Sequence, residues 1–163
     1  MFRDRLAAVM QRLADELGPS ATIDRRGTRW YIQPTHPGAS PLRIAADNAG
    51  TLTVGFGRTS ALINLGHLSK ITPDGHISKA TADEELSGLE TICRAVIAGR
   101  LVERRKGWDG SRWQLTLDNG NSLDGWAGWA GWLWRALPWV RVDEEHFVAY
   151  TDPPRQSDAS DSP

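Results

Sequence analysis

The 163-residue chain has little cysteine, methionine or small aromatic residue: one Cys, two Met, two Tyr and three Phe. A lone Cys93 excludes an intramolecular disulfide framework and points to a reducing compartment. Its apolar neighbours suit a small buried hydrophobe better than a nucleophile. Neither sign of charge is in excess. Nineteen Lys and Arg face 20 Asp and Glu, a net charge of −1, which removes the global basic signature of nucleic-acid or anionic-membrane binders. No apolar run approaches the roughly 20 residues of a membrane span. The opening residues Phe2, Arg3, Asp4 and Arg5 carry mixed charge and no signal-peptide core, so a cytoplasmic location is expected.

Tryptophan is the exception. Of eight indoles, five lie between Trp126 and Trp139. The pattern around them reads as one α+β domain over residues 1–150, followed by an acidic, Ser- and Pro-rich tail over 151–163 that is expected to be disordered. Phe2, Leu6, Val9, Met10, Leu13 and Leu17 form one helical stripe, stopped by Gly18 and Pro19. Residues 21–57 read as two hairpins, with strands at 21–25, 29–33, 42–46 and 52–56. Residues 61–65 are ambiguous but suit a fifth strand. Residues 113–117 suit another.

The organising element is a long helix over 81–105. Thr81 and Glu84 have capping-box spacing, acids lead and arginines close. Leu86, Leu89, Ile92, Cys93, Val96, Ile97 and Leu101 make a broad apolar face, with Gly88, Thr91, Ala95, Ala98 and Gly99 opposite. Interior glycines cost a helix about 1 kcal/mol each relative to alanine. Close approach by a neighbour would offset that, and a Trp-rich helix over 122–137 is the expected cover. Val140–Val142 and Phe147–Tyr150 read as a last strand pair around an acidic turn. The fold expected is therefore an antiparallel sheet of five to seven strands against a central helix, with N-terminal and Trp-rich helices alongside.

Catalytic patterns are sparse. His36, His67, His76 and His146 lack metal-site spacing. The run from Gly55 to Ser60 lacks the third Rossmann glycine and the P-loop lysine. Ser60 and Ser69 sit in no nucleophile elbow. Asp143, Glu144 and Glu145 are consecutive, so their carboxylates diverge and no acid/base roles follow. No catalytic residue, metal or cofactor is expected. Two constellations suit binding instead. Trp134 and Trp139, off the expected helical stripe, together with Asp143, Glu144 and Glu145, suit hot-spot anchoring and steering toward a basic protein. Arg100, Arg104, Arg105, Lys106 and Arg112, with Trp108 and Trp113, form the one basic and aromatic concentration suited to nucleic acid.

The segments Val54-Gly-Phe-Gly-Arg58 and Ala95-Val-Ile-Ala-Gly-Arg-Leu-Val-Glu103 resemble small single-domain α+β bacterial proteins of toxin–immunity loci, over residues 41–103. The resemblance implies a non-enzymatic inhibitor that caps a toxin by direct contact, with no catalytic residue to carry over. A nucleic-acid-associated regulator using residues 100–113, or a small enzyme with an unrecognised site, are the alternatives.

Overall fold

A computed structural model describes residues 2–46, 51–58, 61–65, 70–71, 77–78, 81–106, 110–127 and 141–151. Helix α1 spans Phe2–Leu17 and buries Leu6, Val9, Met10, Leu13 and Leu17, the stripe read from its three- and four-residue spacing. Helix α2 spans Ala82–Ile97 and begins with the expected capping box. The Glu84 N–H donates to Thr81 Oγ1 at 3.3 Å, and the Thr81 N–H donates to Glu84 Oε2 at 2.9 Å. Both helices have 16 residues, so α2 is not the longer of the two.

The expected continuation of α2 to residue 105 is wrong, and Gly99 is the reason. The Arg100 N–H donates to the Ala95 carbonyl at 3.0 Å, and the Gly99 N–H donates to the Val96 carbonyl at 3.0 Å. That pair of bonds is a Schellman cap, which needs a left-handed residue at Gly99, here at φ +72°. Leu101 continues the apolar spacing of the helix, yet it opens a strand.

Strands β1 (Ala21–Arg26), β2 (Arg29–Pro34), β3 (Leu42–Ala46), β4 (Leu52–Phe56) and β5 (Ala61–Asn64) form an antiparallel sheet in chain order. Its register sets Ile23, Ile32, Leu42, Phe56 and Ala61 in one row, and Trp30, Ile44, Val54 and Ile63 in the next. These rows face the core. Tyr31, Arg43, Gly55 and Leu62 alternate with them on the outer side, where Leu62 is 66% exposed. Strands β6 (Lys70–Ile71) and β7 (Ile77–Ser78) pair in a small ribbon.

Strands β8 (Leu101–Lys106), β9 (Gly110–Thr116), β10 (Ser122–Ala127) and β11 (Val142–His146) form a second antiparallel sheet, in the order β10-β9-β8-β11. The expected single sheet is thus two sheets sharing one core. Helix α2 lies against both β4 and β9, and α1 packs on α2 and β1. Phe56 of the first sheet meets Trp113 of the second edge-on, with ring centroids 5.1 Å apart. Such a pair contributes about 0.5–1.5 kcal/mol beyond the area it buries.

Three further expectations are corrected here. Residues 122–127, expected to start the Trp-rich helix, are β10. The ring of Trp113 lies so close to Gly125 that a Cβ there would sit 2.5 Å from Trp113 Cζ2. Strand pairing also satisfies the backbone of a glycine-rich stretch that weakens any helix. The rest of that expected helix, with Trp129, Trp132, Trp134 and Trp139, lies outside the described residues, as does the tail from residue 152. The acidic residues 143–145 form a strand and not a turn, and Phe147–Tyr150 is not a strand. On the small side of α2, the indoles expected as cover, from Trp129 onward, lie outside the described residues. Gly88 has Leu65 above it, Gly99 has the backbone of 147–149, and Ala98 is exposed.

Gly99→Ala places a Cβ 2.5 Å from the Ala149 nitrogen on top of the left-handed strain. It is expected to lose roughly 3 kcal/mol in urea unfolding, against roughly 1 kcal/mol for Gly18→Ala. Gly18 is also left-handed, at φ +48°, but nothing lies within 4 Å of its ideal Cβ. Equal losses at the two positions would contradict the packing at Gly99.

Candidate functional site

The second sheet sorts its charged residues by strand alternation. Leu101, Glu103, Trp113, Leu115 and Gly125 lie on its inner face, with Val102, Arg104, Arg112, Asp124 and Trp126 on its outer face. One cross-strand row runs across the outer face: Glu144, Arg104, Arg112 and Trp126. Arg104 Nε pairs with Glu144 Oε2. His146 Nε2 sits 2.7 Å from Glu144 Oε1. The Arg112 guanidinium lies 5.6 Å over the Trp126 ring, and its Nη2 is 3.2 Å from Asp124 Oδ2. Two arginines directly opposite each other repel. Each is answered by its own carboxylate.

Two members of the basic set read from the sequence therefore pair with two of the acidic set. Arg104 pairs with Glu144, and Arg105 Nη2 lies 3.4 Å from Glu145 Oε2. Arg100 pairs with Asp118 and Arg112 with Asp124. Arg100, Arg104, Arg105 and Arg112 of the expected basic set thus each hold a carboxylate. The acidic residues do not form a free acidic turn. Trp108, Trp134, Trp139 and the Lys106 side chain lie outside the described residues. Trp113, grouped with the basic set, is buried on the inner face. Trp126, within the stretch expected to be the Trp-rich helix, is 46% exposed. The period-two alternation of Leu123 and Gly125 with Asp124 and Trp126 was the signal that could have placed it.

The inner end of this sheet is tied to the first by Arg58. Its backbone N–H donates to Glu103 Oε2 at 2.9 Å. Its Nε lies 3.1 Å from Glu145 Oε1, and its Nη2 donates to the Pro37 carbonyl at 2.7 Å. The Gly57 N–H donates to Ser40 Oγ at 2.8 Å, and the Tyr150 hydroxyl donates to the Ser40 carbonyl. Glu103 is only 1% exposed. This glycine-flanked turn is thus a joint between the two sheets.

Other groups are also accounted for. Burial pushes the Cys93 thiol up to about 12, so it stays a protonated core residue. His36 Nδ1 accepts from the Gly38 N–H at 2.9 Å and shapes its own loop. Among the described residues no group of three or more His, Cys, Asp or Glu is placed to hold a metal. A groove of about 300 Å³ between α1 and α2 is bridged by the ion pairs Arg5–Asp83 and Arg12–Glu90. No helix among the described residues is long and apolar enough to cross a membrane.

No family model, no curated protein and no solved structure matches the chain.

The hydrogen bond from Arg104, and after it the one from His146, holds the Glu144 carboxyl below its usual value of 4.5. A pKa lower in the folded than in the unfolded state adds stability above the glutamate range, and that stability is lost as pH falls through the folded value. A carboxyl-carbon NMR titration is expected to give Glu144 a midpoint below 4.5 in the wild type and nearer 4.5 in Arg104→Ala. A wild-type midpoint at or above 4.5 would contradict the pairing.

Proposed function

We propose that this protein acts by gripping a protein partner across the outer face of its second sheet, as an inhibitor that neutralises a bacterial toxin by direct contact. The observation that carries the reading is Trp126, nearly half exposed and overlaid by the Arg112 guanidinium, at one end of the row that begins with Glu144. Tryptophan and arginine dominate binding hot spots, because a rigid indole and a flat guanidinium cover much area with little entropy to lose. Here the guanidinium is already set in place by Asp124, and a pre-ordered side chain binds at lower cost. The choice of a toxin as the partner rests on the resemblance of residues 41–103 to proteins of toxin–immunity loci.

A nucleic-acid partner fits this face less well. Phosphate binding gains its affinity from cations that release counterions. On this sheet the cations Arg104, Arg105 and Arg112 already hold carboxylates.

The test is capture on immobilised chain from a nuclease-treated lysate of the source organism, with the wild type beside Trp126→Ala and Arg112→Glu. A protein is expected to be retained at least about tenfold less by either variant, the loss typical of a hot spot. Produced alone, that protein should arrest growth, and co-production of this chain should relieve the arrest. Equal retention by Trp126→Ala would overturn the reading, as would a captured protein that is harmless to cells.

A further inference from the structure

The β1–β2 hairpin carries more cations than carboxylates. Over residues 21–34 three arginines, Arg25, Arg26 and Arg29, stand against one acid, Asp24. Arg26 Nε lies 2.8 Å from Asp24 Oδ2, so that acid is taken. Among the described residues Arg25 and Arg29 hold no carboxylate. Arg25 Nε donates to the Gly27 carbonyl at 3.2 Å, and the Arg29 side chain has no polar or ring partner among those residues. The second sheet is the contrast, because Arg100, Arg104, Arg105 and Arg112 there each hold an acid. All three hairpin arginines are exposed.

Register sharpens the excess. Arg26 and Arg29 stand directly opposite each other where the strands meet their turn. Like charges so placed are destabilising, and an anion set between them offsets the repulsion. Aromatic rings alternate with the charges. The Arg26 guanidinium lies 5.4 Å over the Tyr31 ring, and that of Arg25 lies 5.1 Å over Trp30. Tyr31 is on the outer face of the first sheet, between Asp24 on β1 and the exposed Arg43 on β3. A guanidinium over a ring keeps its edge N–H groups for an acceptor, and its plane can receive a base.

We propose that the outer face of this hairpin binds single-stranded nucleic acid, with a backbone phosphate between Arg26 and Arg29 and a base stacked on the Arg26–Tyr31 pair. Cations without carboxylates gain affinity by releasing counterions, and a ring with its guanidinium is a stacking platform for any base. An acidic protein segment would use the cations and leave the ring idle. A membrane surface would take apolar side chains beside the cations. On this face the large aliphatic side chain, Leu62, lies on β5, at the far edge of the sheet from β1. The site is on the other sheet from Trp126 and does not rest on the partner-binding reading.

The probe is a fluorescent oligothymidylate strand, titrated with the full chain by anisotropy between about 50 and about 200 mM salt. A Kd on the order of 10 μM is expected near physiological salt. Two or three phosphate contacts give log affinity a slope of about −1.4 to −2 against log salt. Arg29→Ala should weaken binding about fivefold near 0.1 M salt and make the slope shallower by about 0.7. Because the Arg29 side chain has no partner among the described residues, this variant tests charge without disturbing the fold. Arg100→Ala, which removes one charge beside the second sheet, should stay within about twofold. Tyr31→Val should weaken binding at least about fivefold with the slope unchanged. An abasic strand of the same length should bind the wild type as weakly as oligothymidylate binds Tyr31→Val. Absence of binding would overturn the proposal, as would equal affinities for Arg29→Ala and Arg100→Ala, or for the abasic and thymidylate strands. Binding of polyglutamate as tight as that of the strand would make this an acidic-protein site instead. Equally tight binding of vesicles containing phosphatidylserine would make it a lipid site.

Discussion

Arg104 and Glu144 stand opposite each other across two strands, although 40 residues separate them in the chain. The rest of the second sheet depends on that register. It brings the arginines and carboxylates of β8 and β11 into pairs, aims Glu145 inward to meet Arg58, and leaves Glu144 and His146 on the outer face. A slip of one residue would send every one of these side chains to the wrong side. The exposed pairs add little stability one by one. Their value is in register and in cancelling charge between β8 and β11.

The register itself is prepared upstream. Gly99 ends α2 in a left-handed cap, and the backbone of 147–149 fills the space where a side chain would stand. The Tyr150 N–H donates to the Ile97 carbonyl at 2.9 Å. The helix end therefore positions both the start of β8 and the segment that follows β11. Arg58 fastens the same region to the first sheet, and the Trp113–Phe56 contact fastens its other side. The Val54–Arg58 and Ala95–Glu103 segments behind the resemblance are the places where the two sheets and the helix meet, so their glycines and apolar residues have structural work to do.

Local features were legible in the sequence and long-range ones were not. The α1 stripe, the Thr81–Glu84 box and the hairpins of the first sheet follow from spacing and turn chemistry within a few residues. The end of α2 misleads because Leu101 lies at helical spacing from Ile97, while the stop signal, Gly99, also suits a small helix face. The start of the tryptophan run misleads for a similar reason. Trp126 heads a three-residue spacing that suggests a helix, whereas the need for glycine at 125 is set by Trp113, on another strand. The acidic and basic sets were found but read as rivals, because nothing within either segment announces that they pair. Trp126 was missed as a surface residue because its exposure follows from the strand period and not the helical one.

The most direct test is a double substitution, Arg104→Cys with Glu144→Cys, mixed with a mild oxidant. The two residues form a non-hydrogen-bonded antiparallel pair, whose Cα atoms lie about 4.5 Å apart, within disulfide range. With the register described, a one-to-one intramolecular disulfide forms readily, the buried Cys93 stays reduced, and Arg104→Cys with Asp143→Cys does not close. Failure of the first pair to close, or equal closure of the second, would mean that β8 and β11 meet differently and that the charge pairing built on their register does not exist.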